Sequence, residues 1–154
     1  MANRIPLTQG KSAIVDDADF EELSKFRWHF SHYGYAVRNY TISKNKYGVI
    51  YMHRQILNAP HKMEVDHKNL NKLDNRRENI RICTSSQNKM NRPAYTTNKL
   101  GIKGVCFHPQ TGKFRARIRF NGIIKSLGLY FSAEDAHKAY QMAQKTLHGQ
   151  FARV

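Results

Sequence analysis

The sequence predicts an α+β fold, and three observations lead to that prediction. Apolar and basic residues alternate strictly along residues 114–120, which is the period-two pattern of a half-exposed strand. Apolar side chains then recur at helical spacing after Ser132, a residue type that caps helices. Earlier in the chain, a polar stretch over residues 58–79 separates two β-type segments and is too long to be an ordinary connection. Strands and helices therefore form separate blocks, as in an α+β protein.

Short elements of mixed type are predicted for the first ninety residues. Gly, Pro and capping residues mark their ends, and apolar spacing distinguishes helix from strand. The predicted order is two short strands around a Gln9-Gly10 turn within residues 5–15, a helix over 16–26, β structure over 27–39, a strand and a short helix over 49–57, a loop over 58–79, a strand over 80–84, and a helix from Ser85 or Ser86 to about Asn91.

The last third of the chain predicts a three-stranded antiparallel sheet packed on one helix. Strands are expected over residues 103–107, 114–120 and 123–127, and the helix over 133–147. Asn121-Gly122 is a hairpin signal. A tight turn there would set Ile118 opposite Lys125, so we expect a bulge or a longer loop to shift the register.

Charge is the strongest signal in the composition. The chain holds 26 Lys and Arg against 11 Asp and Glu, which gives a net charge of +15. Residues 1–40 are neutral, whereas residues 41–92 carry +7 and residues 93–154 carry +8. Such an excess attracts polyanions. On charge alone, a DNA-binding protein, an RNA-binding protein and a basic ribosomal component all remain open.

Other bulk features limit the class of protein. The two cysteines, Cys83 and Cys106, do not form a CxxC pair, so we expect neither a structural zinc site nor a disulfide framework. No stretch approaches 18 apolar residues, and the N-terminus lacks a signal-type apolar run. We therefore expect a soluble, intracellular protein of the cytoplasm with no membrane partner.

The residues that suggest chemistry surround the polar stretch. Neighbours in a regular strand point to opposite faces, so Asp66 and His67 can share a site only if their strand ends there. Histidine is suited to taking a proton from water at neutral pH. Asp66 and Asn88 offer hard oxygens, which suit Mg²⁺ or Mn²⁺. The sequence thus predicts one divalent cation and no small-molecule cofactor; the alternative is a plain surface loop.

An ordered run of residues resembles the HNH endonucleases found free-standing in phage genomes and in introns. The run is Met52-His53-Arg54, Val65-Asp66-His67, Leu73-Asp74-Asn75-Arg76, Glu78-Asn79-Ile80-Arg81, Thr84 and Asn88. The resemblance implies a ββα-metal core over residues 49–92. It implies His67 as the general base, Asp66 and Asn88 as metal ligands, and Asn79 as a residue that braces the loop or orients the base.

Three further residues of the same region are weaker candidates. His53 is a possible accessory residue that contacts phosphate or has a structural role, and Arg54 and Arg81 are candidates for phosphate contacts. The last residue of the motif is often histidine in relatives, whereas this chain has Asn88. We expect that departure to change metal preference more than activity.

The alternating strand predicts a surface that binds DNA. Arg115, Arg117 and Arg119 share one face at a spacing of about 7 Å, and the apolar residues share the other. A β-ribbon fits the major groove, and arginine is the commonest reader of guanine. The alternative is a half-exposed strand whose arginines only solubilise it.

Residues 101–152 resemble the APETALA-two/ethylene-response-factor DNA-binding domain. The similar motifs are Gly101-Ile102-Lys103-Gly104-Val105, Gly112-Lys113-Phe114, Ile118-Arg119, Leu127-Gly128 and Ser132 to Tyr140. The resemblance implies a set of DNA-facing positions, namely Lys103, His108, Lys113, Arg115, Arg117 and Arg119. Cys106 and Ser126 depart from the family, so its target sequence does not carry over.

Together the resemblances imply four segments. They are a lead-in over residues 1–48 that packs on the core, the nuclease core over 49–92, a linker over 93–100 and the DNA-binding domain over 101–154. The implied function is a homing-type endonuclease that cuts double-stranded DNA and is encoded by a phage in a bacterial host. A catalytically inactive DNA-binding regulator on an HNH scaffold and an RNA-binding protein are the alternatives, and both a monomer and a homodimer remain open.

Overall fold

The computed structural model describes residues 1–153, and the chain folds into two compact units. The first unit comprises Met1–Ser85 and the second begins at Ser86. The sequence had suggested boundaries after residues 48, 92 and 100 instead. Both units combine helices with antiparallel sheets, so the chain is α+β. Within residues 1–153 no helix is long and apolar enough to cross a membrane.

The first unit contains three small antiparallel sheets and two short helices among the described residues. Their order is β1 (Ala2–Pro6), β2 (Ser12–Asp16), α1 (Asp17–Ser24), β3 (His29–Phe30), β4 (Ala36–Ser43), β5 (Lys46–Tyr51), α2 (Met52–Leu57), β6 (Glu64–His67) and β7 (Ile80–Cys83). The sheets are β1–β2, β3–β4–β5 and β6–β7.

Local sequence signals account for most of these boundaries. Gln9 and Gly10 both have positive φ, as the predicted turn requires. Leu23 of α1 is buried, and Phe20 and Phe26 pack on the same core, which confirms the apolar stripe. Asp16 stands at the N-cap of α1, but its carboxylate accepts a hydrogen bond from the backbone N–H of Arg77 at 2.7 Å rather than from the helix.

One apolar core holds the first unit together. It draws residues from every sheet of the unit and from both helices, including Ile5, Val15, Leu23, Trp28, Ala36, Met52, Ile56, Val65 and Ile80. The polar stretch between β6 and β7 is fastened to this core through β2. Ile14 donates to the carbonyl of Leu73 and accepts from the N–H of Asn75, both at 2.8 Å. The stretch predicted as a loop over 58–79 thus includes strand β6. Its residues 73–75 are held against β2 by the two hydrogen bonds to Ile14.

The second unit is the predicted three-stranded sheet with a helix across it. Helix α3 (Ser85–Asn91) begins at the unit boundary, and it is followed by β8 (Val105–His108), β9 (Lys113–Phe120), β10 (Ile123–Tyr130), α4 (Ala133–His148) and a 3₁₀ turn (Gly149–Phe151). The strand order is β10–β9–β8, and α4 contacts all three strands. Ser132 caps α4 by accepting from the N–H of Asp135 at 3.0 Å, as predicted.

The register of β9 and β10 differs from the expected one. The turn at Asn121-Gly122 has two residues, both with positive φ, so Ile118 does face Lys125. The irregularity occurs later, between Ser126 and Gly128. Ile118 remains buried while Lys125 is exposed. Gly128, at φ +122°, then sits opposite Ala116 in the apolar cluster beneath α4.

Candidate functional site

Asp66 and His67 are the last two residues of β6. The strand ends at His67, as sharing a site requires, and both side chains are buried. The chain turns at once, because the N–H of Leu70 donates to the carbonyl of His67 at 2.9 Å and Leu70 has positive φ. Strand β7 lies alongside, with Asp66 opposite Arg81 and His67 opposite Ile80.

The imidazole of His67 contacts the side chain of Asn75. Its Nε2 lies 3.2 Å from Asn75 Oδ1. Asn75 is completely buried, and its Nδ2 points to the carbonyl of Leu73 at 3.3 Å and to Met52 Sδ at 3.7 Å. Both of these are acceptors, so they define which end of the amide is NH₂. Oδ1 must then accept from His67, which puts the proton of the neutral ring on Nε2 and its lone pair on Nδ1.

Asn79 braces the loop. Its Nδ2 donates to the carbonyl of Asp74 at 2.7 Å, and its Oδ1 accepts from the N–H of Asn69 at 3.0 Å. Two functions had been suggested for Asn79, and these contacts correspond to the first of them. The imidazole of His67 is contacted instead by Asn75, a residue of the Leu73-Asp74-Asn75-Arg76 motif for which no role was predicted.

Charged groups support the same loop. Asp74 is buried and accepts from Arg76 Nε at 2.8 Å and from Asn69 Nδ2 at 2.9 Å. Its hydrogen bonds to Arg76 hold the pKa of the Asp74 carboxyl below its ordinary value. Arg76 also pairs with Glu78, and Arg77 pairs with Asp19 of α1 at 2.7 Å. The pair with Asp19 joins the loop to α1, while the contacts of Arg76 stabilise the loop itself.

Asp66, the predicted metal ligand, forms an ion pair with Arg81. The guanidinium approaches one carboxylate oxygen, Oδ2, with Nε at 2.9 Å and Nη2 at 2.6 Å. Both side chains are largely buried. This ion pair compensates the charge of Asp66 and fixes the orientation of its carboxylate. Any contact of Arg81 with phosphate would have to form while Arg81 remains bonded to Asp66.

His53 lies in an aromatic cluster next to His67. The centroids of the two imidazole rings are 5.1 Å apart, and the rings of Tyr35 and Tyr51 complete the cluster. Burial lowers the pKa of His53 to about 3, with further contributions from His67 and Arg54. Burial also lowers the pKa of His67, although its bond to Asn75 and the charge of Asp66 act in the opposite direction. Both rings are therefore neutral at pH 7.

Arg54 has a structural role in the first unit. Its guanidinium donates to three backbone carbonyls, those of Met63 at 2.7 Å, Pro60 at 2.8 Å and Ala59 at 3.1 Å. These bonds close the turn between α2 and β6. Arg54 thus braces the segment that leads to Asp66, and its contact with DNA stays a prediction.

Asn88, the second predicted ligand, is on α3 and belongs to the second unit. A site formed by Asp66 with Asn88 therefore stays a prediction. Within residues 1–153 no group of three or more His, Cys, Asp and Glu side chains is placed to hold a metal ion.

The basic residues of the second unit fall into two groups. Arg117 and Arg119 are exposed on the face of β9 opposite α4, and Arg115, on the same face, is half-buried beside Cys106. His108 bonds Thr111 through Nδ1 at 3.0 Å, and the ammonium of Lys113 lies 4.2 Å from the ring centroid of Phe131. All five remain near the surface of the sheet.

Lys103, another residue of the predicted DNA-facing set, is bonded to the backbone. Its ammonium donates to the carbonyl of Met90, and burial lowers its pKa to about 8. A cation that is partly desolvated and bonded to the backbone is poorly placed to attract a phosphate. The contact of Lys103 with DNA stays a prediction.

Comparisons with known proteins point to a nuclease. Residues 58–90 match a family model described as HNH endonuclease. A protein of Acanthamoeba polyphaga mimivirus, named as an uncharacterised HNH endonuclease, is 28% identical over 150 residues, which cover 94% of this chain and 74% of the relative. No solved structure matches the chain. The family match ends at residue 90, so it gives no support to the resemblance drawn for residues 101–152.

Proposed function

We propose that this protein is a DNA endonuclease that hydrolyses a phosphodiester bond with His67 as the general base. The observation that carries the proposal is the buried bond from His67 Nε2 to Asn75, inside the segment that matches the HNH endonucleases. A general base needs a fixed ring with a lone pair directed at its substrate. Asn75 provides this by holding the proton on Nε2, which leaves Nδ1 as the basic nitrogen.

The chemistry at this site is a proton transfer coupled to displacement at phosphorus. His67 Nδ1 takes a proton from water as the water oxygen bonds to phosphorus. The bond from phosphorus to the 3′ oxygen breaks, and that oxygen leaves with a proton from solvent. The products have 5′-phosphate and 3′-hydroxyl ends. Fixing the ring in advance means that no reorientation is needed during the reaction.

The donor set suits one hard divalent cation. Asp66 supplies a carboxylate and Asn88 an amide oxygen, which match the preference of Mg²⁺ or Mn²⁺. A cation bound there would offset the negative charge that develops on the phosphate. Arg81 already holds Asp66 in one orientation through Oδ2, so the carboxylate is positioned within the fold.

The exposed arginines of β9 are proposed to hold and select the duplex. Arg117 and Arg119 project from an ordered strand, and Lys113 and His108 lie on the neighbouring positions of the same face. A sheet face of this kind can enter the major groove and contact base edges. Homing-type cutting at one recognition site follows only if this face discriminates between sequences.

A plasmid assay tests the proposal. Supercoiled plasmid incubated with the full chain and Mg²⁺ or Mn²⁺ should become nicked or linear, and EDTA should stop the reaction. His61, an exposed histidine in the turn before β6, provides the matched control. Cleavage should persist in His61→Ala and become at least about 10²-fold slower in His67→Ala. Cleavage that survives both EDTA and His67→Ala would contradict the proposed chemistry.

The ion pair between Arg81 and Asp66 favours one second candidate, a DNA-binding regulator without nuclease activity. A guanidinium on Asp66 compensates the same charge that a cation would, so the scaffold could persist without metal. This candidate predicts duplex binding without plasmid cleavage at any concentration of Mg²⁺ or Mn²⁺. It also predicts that Arg81→Ala destabilises the fold, because it removes the ion pair of a buried carboxylate.

A further inference from the structure

The outer part of the β4–β5 hairpin has no buried side chain. From Asn39 to Val49, which we call the ribbon, every residue except Gly48 is exposed. Large side chains are among them, namely Tyr40, Ile42, Tyr47 and Val49, which are 45–65% exposed. An isolated two-stranded hairpin is marginally stable in water, and a cluster of exposed apolar groups usually marks a binding surface. Packing in the core of the first unit therefore does not account for the large side chains of the ribbon, and binding to a partner would.

The ribbon is nevertheless regularly paired. Its register runs from Asn39 opposite Val49 to Ser43 opposite Lys46, with one irregularity after Thr41, and a two-residue turn closes it. The ring of Tyr40 lies over Gly48, where a Cβ atom would come within 2.4 Å of that ring. The surface is thus preformed, and binding would not have to order it.

The charge of the hairpin indicates what kind of partner would bind the ribbon. Residues 36–51 contain no Asp or Glu, and they contain Arg38, Lys44 and Lys46. Arg38 is used within the fold, since its Nε donates to Gln55 at 3.1 Å and its guanidinium lies 4.0 Å from the ring centroid of Phe26. Lys44 and Lys46 are exposed. A second copy of this chain, with its net charge of +15, would be repelled, whereas a polyanion would be attracted.

The dimensions of the ribbon match one groove of duplex DNA. Its two strands are about 4.8 Å apart, so with side chains it fits the major groove, about 12 Å wide, but not the minor groove, about 6 Å wide. The base of the hairpin is at the candidate site, because the ring centroid of Tyr51 is 5.5 Å from that of His53, which contacts His67. Tyr51 and Lys46 are five positions apart in β5, which corresponds to about 16 Å, or about five base pairs.

We infer that the ribbon is a second DNA-binding surface, which enters the major groove beside the bond to be cut. Lys44 and Lys46 contact phosphates, while Tyr47 and its cross-strand partner Thr41, which share one face of the ribbon, lie against the bases. The position of the ribbon relative to the cut rests on the proposed nuclease function. Its contact with duplex DNA does not, so it is tested by binding alone.

The test measures the binding of the full chain to a mixed-sequence duplex of about 30 base pairs at several salt concentrations. Lys44→Ala with Lys46→Ala should lower the slope of log affinity against log salt by about two, close to one unit per phosphate contact. Lys11→Ala with Lys25→Ala removes the same charge from exposed sites elsewhere in the first unit and should leave the slope unchanged. A shortened chain, with Asn-Gly in place of residues 40–48, keeps the pair of Asn39 and Val49 and should behave like the ribbon double variant.

A fluorescent reporter makes the test specific to the ribbon. Trp28 is buried, so the emission of Tyr47→Trp should be distinguishable by its quenching with acrylamide. The duplex should protect this tryptophan, whereas Met142→Trp, on the outer side of α4, should stay accessible. Equal slopes in both double variants, with no protection at position 47, would overturn the inference. The inference would also be overturned if sedimentation showed that the full chain is a dimer and the shortened chain is a monomer, because the ribbon would then join two copies of the chain.

The two proposals can fail separately. A wild-type protein that never cuts plasmid, but whose duplex binding depends on Lys44 and Lys46, would contradict the nuclease function and support the ribbon. A protein that cuts plasmid with the same binding in both double variants would do the reverse.

Discussion

The polar side chains around His67 and those on β9 differ in their exposure to solvent. Around His67 the polar groups are buried and bonded to defined partners, as Asn75, Asp74 and Asn79 show. On β9 the cations Arg117 and Arg119 are exposed to solvent. A proton transfer needs groups held within fractions of an ångström, whereas attraction to a polyanion acts over a Debye length of about 8–10 Å. If the proposed function holds, the chemistry belongs to the first unit and much of the DNA affinity to the second.

Loss of the base should have the largest effect. His67→Ala should reduce the rate of plasmid cleavage by about 10²–10⁴-fold, the usual contribution of a general base. The affinity for duplex DNA should hardly change, because the exposed cations are untouched. Single-turnover cleavage and fluorescence anisotropy measure the two quantities separately. A parallel loss of affinity would mean that His67 helps to hold the duplex, and the comparison would break down.

Loss of the exposed arginines of β9 should have the opposite pattern, with weaker DNA binding and little change in the cleavage step. Arg117→Ala with Arg119→Ala should lower the log–log salt slope of duplex binding by about two, while cleavage at saturating DNA changes little. Lys138→Ala with Lys145→Ala, on exposed positions of α4, removes equal charge as a control. If both double variants weaken binding alike, net charge rather than the sheet face determines affinity.

A smaller effect is expected for Asn75, which acts on the reaction through His67. Asn75→Ala should slow single-turnover cleavage about tenfold, because one hydrogen bond of roughly 1–1.5 kcal/mol is lost. DNA affinity should remain, and ¹⁵N NMR of the imidazole should show the proton shared between Nε2 and Nδ1. Asn75→Gln, with a longer amide, tests whether position matters as well as chemistry. A purely structural role would lower the melting temperature without moving the imidazole signals.

Local patterns predicted most elements of the fold. The ends of β6 and α4, the Gln9-Gly10 turn and the alternation of β9 all depend on residues close in sequence, where spacing and capping are informative. The register of β9 and β10 was expected to shift early, because Lys125 opposite Ile118 would place a charge on the apolar face. The shift comes later, since Lys125 remains solvated at the edge of the sheet.

Contacts distant in sequence could not be predicted in the same way. Asn75 reaches His67 because residues 73–75 pair with Ile14, about sixty positions earlier. Arg54 and Lys103 have the right charge for a DNA contact, and the fold also provides each of them with a backbone carbonyl to which it donates. Whether a cation is available depends on what folds around it, which composition does not reveal. The quoted Leu-Asp-Asn-Arg motif was the one signal that could have drawn attention to Asn75.

The stability of the buried cluster around His53 should depend on pH, with no effect on DNA contacts at neutral pH. In the unfolded chain this histidine binds a proton below about pH 6.5, whereas in the folded protein burial lowers its pKa to about 3. Between these values the unfolded state holds more protons, so the free energy of unfolding falls as the pH drops from 6.5 towards 3. The contribution of His53 is at most about 1.4 kcal/mol per pH unit. His53→Phe, which keeps a ring against Tyr35 and Tyr51, should make urea unfolding less sensitive to pH in this window. The same pH dependence in both proteins would mean that water and a proton reach His53 in the folded protein. The polar groups around His67 would then be less well shielded from solvent than the contrast with the exposed arginines of β9 assumes.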